Sequence, residues 1–270
     1  MIRTRVLVGL IGAPIGIFVL WLGGVPLAIV GAVLAVVGGM EYARMCKTKA
    51  WTPSQPLISA GSALFVVDAV LTGGRFSGSL LSLVLALSLA GQVMKAKPTG
   101  SMAVPALEVF GVVYCGWTLS RFCLIRGTFG DAGLGLSLLM MVLVWFNDMG
   151  AFFVGRAIGR RKLAPSMSPN KTIEGSIGGF VWAVLASIAY KALGDVTGLW
   201  YTLSWPQAII FALLVAASGQ IGDLAESGMK RDAGVKDAGR MFPGHGGVLD
   251  RFDSFFLVSP IAYYYLRLML

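Results

Sequence analysis

Long apolar segments alternate with short polar ones along most of this 270-residue chain. Several apolar segments approach the roughly 20 residues that an α-helix needs to cross the hydrocarbon core of a bilayer. The pattern predicts nine membrane-spanning helices, at residues 6–22, 25–41, 56–73, 77–94, 104–125, 133–155, 174–194, 206–226 and 254–269. We therefore expect an all-α fold, a polytopic integral membrane bundle. A version with eight spans, in which two weak segments merge, stays open.

The composition agrees with a membrane protein. Hydrophobic residues make up 56% of the chain and charged residues only 13%, whereas soluble domains carry roughly 25% charged residues. The net charge of +9 does not indicate a nucleic-acid partner, because no soluble basic domain accompanies it. The three cysteines have no CxxC or metal-binding spacing, so no disulfide framework is implied, and Cys115 and Cys123 are expected to be packing residues because they lie inside an apolar segment. The first apolar run lacks a convincing cleavage site and is interpreted as a membrane anchor.

The basic residues predict an orientation for the bundle. Most of the 22 lysines and arginines fall on one side of the nine spans if the N-terminus lies in the cytoplasm, as the positive-inside rule requires. Residues 1–127 are mostly aliphatic helices with short loops, whereas residues 128–270 hold ten of the thirteen carboxylates and two cytoplasmic loops, 156–173 and 227–253. We expect one continuous membrane domain whose C-terminal half holds the chemistry.

Polar side chains are concentrated in residues 219–253, which contain six acids, five basic residues and the only histidine of the chain. Asp223 lies at the cytoplasmic end of the eighth span, followed three and four positions later by Glu226 and Ser227. This spacing places the three side chains on one face of a helix.

Asp250 and Asp253 have the same spacing at the start of the last span. Carboxylates at a membrane edge need partners, because leaving them there unpaired is energetically unfavourable. One interpretation is salt bridges with Lys230, Arg231 and Arg251. The other is Mg²⁺ binding, since clustered carboxylates without cysteines offer the hard oxygen ligands that Mg²⁺ prefers.

A group of basic residues follows the eighth span: Lys230, Arg231, Lys236 and Arg240. A basic loop at a membrane surface commonly binds anionic lipid headgroups. Interleaved with acids that could bind a metal ion, the same residues suit a triphosphate, whose charge metal and cations would share. This arrangement is typical of phosphoryl and nucleotidyl transfer.

The turn Pro243-Gly244-His245-Gly246-Gly247 follows these bases. Glycines let backbone amides approach a phosphate closely, because they lack a Cβ atom. His245 could hydrogen-bond a phosphate or transfer a proton, although a lone histidine is often structural.

The other cytoplasmic loop ends in Ser168-Pro169-Asn170-Lys171-Thr172. Lys171 and Thr172 do not form a P-loop, because the upstream glycine and the preceding strand are missing. Instead we expect Ser168 to cap the next helix while Lys171 reaches an anion. Asn147 and Asp148 lie within the sixth span, where an ionisable residue is a candidate site residue and a buried interhelical hydrogen bond is the alternative.

At these positions the sequence resembles the phosphatidate cytidylyltransferases, or CDP-diacylglycerol synthases. The family signature is matched from residue 227 to residue 253 by Ser227, Met229, Lys230-Arg231, Lys236-Asp237, Gly239, Pro243, His245-Gly246-Gly247, Asp250-Arg251 and Asp253. The resemblance is strong over about 145–270, and the N-terminal half resembles the family only as a run of spans.

The resemblance implies a Mg²⁺-dependent membrane enzyme that joins CTP and phosphatidic acid into CDP-diacylglycerol and releases pyrophosphate. A homodimer in the bacterial inner membrane, with its active site facing the cytoplasm, is expected, and a second metal ion is compatible with the motif. The expected metal ligands are Asp223, Asp250 and Asp253. The expected catalytic residues are Asp223, Lys230, Arg231, Lys236, Asp237, His245, Asp250 and Asp253. The expected substrate-binding residues are Asp148, Ser168, Lys171, Thr172, Glu226, Ser227, Gly246, Gly247 and Arg251.

Two alternatives stay open from the sequence. One is a related nucleotide-dependent lipid enzyme, such as a CTP-dependent polyprenol or phytol kinase or a cytidylyltransferase for archaeal lipids. The other is a transporter for an anionic solute, which predicts paired broken helices in two related halves. The sequence shows no such repeat.

Overall fold

The structure, a computed structural model, describes residues 2–49, 51–95, 100–198, 203–239, 241 and 246–270, with side chains from residue 12 onwards. The helices are α1 Ile2–Leu22, α2 Gly24–Lys47, α3 Gln55–Thr72, α4 Ser77–Met94, α5 Ala103–Val112, α6 Thr118–Thr128, α7 Ala132–Ile158, α8 Ile173–Thr197, α9 Trp205–Asp232 and α10 Val248–Met269. A π-helical turn, Val113–Trp117, connects α5 to α6, so these two elements form one continuous helix.

Seven helices within the described ranges are long and apolar enough to cross a membrane. They are α2, α3, α4, the continuous α5–α6 helix, α7, α8 and α9. These seven match seven of the predicted spans, so the predicted helical membrane bundle is confirmed at this level. The helices α1 and α10 also lie where spans are predicted, but they are not among the seven. Nine spans and a cytoplasmic N-terminus therefore stay predictions.

A small β-hairpin lies between α7 and α8. Strand β1, Lys162–Ala164, pairs antiparallel with strand β2, Ser168–Thr172. The prediction that Ser168 caps the following helix is therefore wrong. Because strand pairing continues as far as Thr172, the helix begins at the next residue, and the Thr172 Oγ1 accepts the Gly175 N–H at 3.1 Å. Thr172 therefore caps the helix in place of Ser168, the residue predicted from the sequence.

The chain separates into two compact units. Unit 1 contains residues 1–127 and 230–252, and unit 2 contains residues 128–229 and 253–270. Most of the predicted cytoplasmic loop 227–253 therefore folds together with the N-terminal helices. This grouping brings side chains from α2 into contact with residues 230–252, called the signature loop from here on, within unit 1.

The core of unit 1 is built where α2 packs along α3. Tyr42, Ile58 and Phe65 are almost completely buried there. Gly111 permits the close packing of α5, because a Cβ atom at this position would overlap the Tyr42 ring. All three cysteines of the chain are free and buried, as expected for packing residues.

Unit 2 is organised around the antiparallel pair α7 and α8, where small residues face large ones. Gly150 on α7 faces the Trp182 side chain, and Gly178 on α8 faces the Val154 side chain. A Cβ atom at either glycine would come closer to its neighbour than side chains normally pack. The glycine-rich start of α8 thus packs closely against α7, an arrangement typical of membrane helices.

Candidate active site

Lys171 and Asp223 form an ion pair within unit 2. Lys171 is placed by strand β2, and Asp223 lies on α9 one turn before Ser227, whose Oγ is 3.5 Å from the Asp223 Oδ1. The shared helix face predicted for these residues is therefore confirmed. The Lys171 and Asp223 side chains remain 26% and 30% exposed. Both charges are thus accessible to a polar ligand.

A pocket of about 540 Å³ within unit 2 includes both side chains of this pair in its lining. One wall is a hydrogen-bonded polar network. The Gln220 Nε2 donates to the Asn147 Oδ1 at 2.9 Å and to the Ser176 backbone oxygen at 3.0 Å, while the Ser176 Oγ donates to the Gln220 Oε1. Asp148 also lines the pocket. The network holds these amides in fixed positions, so the pocket offers preformed polar groups from α7, α8 and α9.

Negative charge accumulates around Asp253 at the start of α10. Asp223, Glu226 and Asp148, all in the same unit, act electrostatically on its carboxylate. The absence of a side chain at Gly222 permits this approach, since a Cβ atom there would lie 2.9 Å from the Asp253 backbone oxygen. Such a concentration of carboxylates favours a bound cation.

Asp250 is the central acceptor of the signature loop in unit 1. Its Oδ1 accepts from the Lys230 ammonium at 2.7 Å, and its Oδ2 accepts the backbone N–H groups of Ala238 at 2.9 Å and Gly247 at 2.7 Å. The Asp250 side chain is only 6% exposed. The salt bridge to Lys230, one of the two interpretations of this acid, is therefore present. A single carboxylate joins three separate points of the loop.

Gly246 has a φ of 83°, the left-handed conformation that favours glycine. A Cβ atom at Gly246 would also overlap the Asp250 carboxylate. The other predicted charged residues of this region are exposed: Arg231, Lys236, Asp237 and Arg251. Arg240, predicted to belong to the basic group, and His245, predicted to act in catalysis, lie outside the described residues.

Sequence reasoning missed three residues that the structure brings into these clusters: Ser176, Gln220 and Glu41. Gln220 could have been found, because it precedes Asp223 by three positions and helical periodicity places both on one face. Glu41 could also have been found, since a carboxylate in an apolar span is a candidate for a special role. No sequence signal identified Ser176.

The predicted magnesium ligands are Asp223, Asp250 and Asp253. Among the described residues, no group of three or more His, Cys, Asp or Glu side chains is already arranged to hold a metal ion. The donor chemistry fits Mg²⁺, because carboxylate oxygens are its preferred protein ligands. The negative charge around Asp253 also suits a cation. The magnesium site stays a prediction.

Comparison with known proteins extends the similarity along the whole chain. Residues 3–269 match the model of the Cytidylyltransferase family. The chain is 31% identical over 277 residues to the phosphatidate cytidylyltransferase of Bacillus subtilis strain 168, with 98% of each chain covered. It is 34% identical over 262 residues to the phosphatidate cytidylyltransferases of Staphylococcus haemolyticus strain JCSC1435 and Staphylococcus aureus strain COL, with 96% of each chain covered. The similarity thus includes the N-terminal spans.

Proposed function

The chain belongs to the cytidylyltransferase family, and from this premise we propose that it transfers CMP from CTP to phosphatidic acid, giving CDP-diacylglycerol and pyrophosphate. The names of the three relatives support phosphatidate as the acceptor. The observation that carries the proposal is the accessible Lys171–Asp223 pair in the lining of a polar pocket, in a protein that is otherwise mostly apolar helix. A lysine in such a pocket suits a phosphate, because phosphate oxygens can replace its carboxylate partner.

The reaction needs a nucleophile, a leaving group and charge neutralisation. An oxygen of the lipid phosphate attacks the α-phosphorus of CTP, forming a new phosphorus–oxygen bond. The bond from the α-phosphorus to the oxygen bridging to the β-phosphate breaks, and its electron pair leaves with pyrophosphate. A phosphate monoester is already largely ionised near neutral pH, since its second proton dissociates near pH 6. The attack therefore needs neither a covalent enzyme intermediate nor a strong base.

Catalysis then consists mainly of positioning and of neutralising phosphate charge. Lys171 and Lys230 are suited to this work, since each pairs with one carboxylate and can shift toward a phosphate oxygen. The exposed Arg231 and Lys236 add positive charge for the anionic substrates as they approach. We propose that the hydrogen-bonded network around Gln220 positions the part of the substrate that enters the pocket.

Magnesium is part of the proposal. Asp223, Asp250 and Asp253 would hold it, and it would neutralise charge on phosphate oxygens and favour departure of pyrophosphate. The chain's own contribution is to orient these carboxylates. For Asp250, the N–H groups of Ala238 and Gly247 do this.

The membrane setting explains why such a pocket would be useful. Seven apolar helices and bacterial relatives indicate an integral membrane protein. CTP arrives from water and the lipid arrives from the bilayer, and the pocket lining combines Lys171 and Asn170 with the apolar side chains of Phe152 and Leu163. We place the protein in the bacterial inner membrane, with the active site facing the cytoplasm and with a homodimer as the expected assembly.

The proposal is tested by product formation with purified protein in detergent. The protein is given phosphatidic acid and CTP labelled in the cytosine ring, with and without Mg²⁺. We expect label in the lipid only with Mg²⁺, together with an equal amount of pyrophosphate. Absence of label in the lipid under all conditions would contradict cytidylyl transfer.

The same assay separates the alternatives. A CTP-dependent lipid kinase would leave cytosine in solution and transfer phosphate from γ-labelled CTP to an added polyprenol or phytol. A transporter would transfer no label to lipid in detergent and would move an anionic solute across sealed vesicles. Either result would replace the proposed function.

A further inference from the structure

Glu41, near the C-terminal end of α2, is buried within unit 1 with only 2% of its surface exposed. Its Oε2 accepts the backbone N–H of Leu249 at 3.0 Å, in the first turn of α10. A carboxylate removed from water is costly unless hydrogen-bond donors satisfy it. A charge-assisted bond to the first turn of a helix is among the stronger ways to do so. This contact therefore fixes the residue that immediately precedes Asp250.

Two glycines of the signature loop leave space for the Glu41 side chain. A Cβ atom at either Gly239 or Gly247 would overlap the Glu41 carboxylate. Neither glycine has a positive φ, so their backbone conformations would accept other residues. The requirement for glycine at these two positions comes from Glu41, a residue far away in the sequence.

The end of α2 also holds the beginning of the same loop. The Thr48 Oγ1 donates to the Ala233 backbone oxygen at 2.7 Å, and the Lys49 Nζ lies 3.0 Å from the Asp232 Oδ1. Glu41 and Thr48 are separated by about 10 Å along the helix axis, at 1.5 Å per residue. The last turns of α2 and the two residues that follow this helix thus contact both ends of residues 232–249.

We infer that the C-terminal end of α2 is the template for the signature loop and that Glu41 is a positioning residue for Asp250. This inference rests on the proposed function, which assigns Asp250 and Lys230 to the reaction. Lys230 lies near the end of α9 and Asp250 near the start of α10, so the loop that connects these helices needs an external support to keep the two groups in one arrangement. Glu41 supplies it through Leu249 and through the space it occupies beside Gly247. A misplacement of about 1 Å at a catalytic group can lower turnover on the order of 10²-fold.

The first test compares Glu41→Ala with Glu108→Ala. Glu108 is a matched control, because it is also 2% exposed, lies in unit 1 and accepts the Ser54 N–H at 2.6 Å. Both substitutions remove a buried carboxylate, so both should lower the melting temperature. We expect kcat to fall on the order of 10²-fold for Glu41→Ala. For Glu108→Ala we expect kcat within about twofold of wild type at temperatures where the protein is folded.

A second readout does not depend on the reaction. Hydrogen–deuterium exchange, followed by mass spectrometry over residues 246–253, should be faster in Glu41→Ala and unchanged in Glu108→Ala, because only Glu41 holds the Leu249 N–H. If the wild type transferred no CMP but this difference appeared, the proposed function would fail while the template role stood. Unchanged exchange in Glu41→Ala would overturn the template role even in an active enzyme.

The third test is a double-mutant cycle between Glu41 and Gly247. We expect Gly247→Ala alone to lower kcat by about tenfold or more, and to add less than about twofold on the Glu41→Ala background, because residues in contact are not additive. Effects that multiply would overturn the inference. If Glu41→Ala fails to fold, Glu41→Leu replaces it, since leucine is apolar and cannot accept the Leu249 N–H. Wild-type kcat and wild-type exchange over residues 246–253 in Glu41→Leu would also overturn the inference.

Discussion

The acidic residues of the two halves of the sequence have different kinds of partners. In the N-terminal half, Glu41, Asp68 and Glu108 are buried and accept hydrogen bonds from backbone N–H groups of the loops and helix ends that they fix in place. In the C-terminal half, Asp223 and Asp250 pair with lysines. The three acids of the first half bind backbone N–H groups, whereas these two acids of the second half bind lysine side chains.

The type of hydrogen-bond partner indicates which carboxylates are available for chemistry. A backbone N–H cannot leave its acceptor unless the local fold opens, so a carboxylate bound in this way is structural. A lysine has a flexible stem and can exchange one anion for another, so its carboxylate partner can be released to a new ligand. Asp250 combines both properties, because it accepts from Lys230 and from two backbone N–H groups.

The largest effect is expected for Asp250→Asn. The amide keeps the shape of the side chain and one acceptor oxygen for the loop, but it removes the charge that pairs with Lys230 and the proposed metal ligand. We expect turnover to fall on the order of 10³-fold or more at a temperature where the variant is folded. The melting temperature in detergent should also fall, because Lys230 loses its anionic partner. The measurement is labelled-CTP incorporation at saturating substrate and Mg²⁺.

The outcome decides whether Asp250 belongs with the reactive acids. If the Asp250→Asn enzyme kept wild-type turnover and still needed Mg²⁺, Asp250 would not be a magnesium ligand. It would then be a structural hydrogen-bond acceptor. Gln92→Asn, at a buried position on α4, is a control for general loss of packing in detergent, and its turnover should remain close to wild type.

The next largest effect is expected for Lys171→Met. Methionine preserves much of the length of the side chain but cannot neutralise a phosphate or pair with Asp223. We expect kcat/KM for CTP to fall by about 10²-fold, the scale seen when one charge-stabilising group is removed. Lys171→Arg should recover part of the loss, since the charge is retained. Equal activity of the Met and Arg variants would contradict a role for the positive charge.

The contrast between the halves was only partly predictable from sequence. Apolar run length predicts seven helices that the structure confirms to be long and apolar enough to cross a membrane, because crossing a bilayer imposes a length that can be read directly. The spacing of Asp223 and Ser227 predicts their shared helix face, because the helix repeat is fixed. Both successes rest on local geometry.

The failures arise where distant segments meet. Ser168 was expected to cap α8, but pairing with β1 extends strand β2 to Thr172, and strand pairing depends on residues outside the capping motif. Glu41 was not recognised because its partner Leu249 is 208 residues away. Local patterns therefore predicted most elements and the helix face shared by Asp223 and Ser227, while the supports of the loop required the tertiary structure.

A smaller effect, confined to stability, is expected for Asp68→Asn. The Asp68 Oδ1 accepts the Phe76 N–H at 3.0 Å, and its Oδ2 accepts from the Ser77 Oγ at 3.1 Å. Loss of charge-assisted bonds should lower the free energy of unfolding by about 1.5–3 kcal/mol. Turnover at a temperature where the variant is folded should stay close to wild type. A large loss of turnover without a loss of stability would break the distinction between the two halves.

The smallest effect is expected for Arg75→Ala, in the loop that connects α3 to α4. Arg75 is exposed, and its guanidinium carbon lies 5.9 Å from the centre of the Phe76 ring, a contact worth about 0.5–1 kcal/mol at an exposed site. The predicted orientation places this loop on the outer side of the membrane, away from CTP. Turnover should therefore remain within about twofold of wild type, as for most surface substitutions. A tenfold loss of turnover in the labelled-CTP assay, with normal folding, would mean that a loop of the N-terminal half takes part in the chemistry. That result would contradict the predicted orientation of the bundle. It would also contradict the distinction between structural acids in the first half and reactive acids in the second.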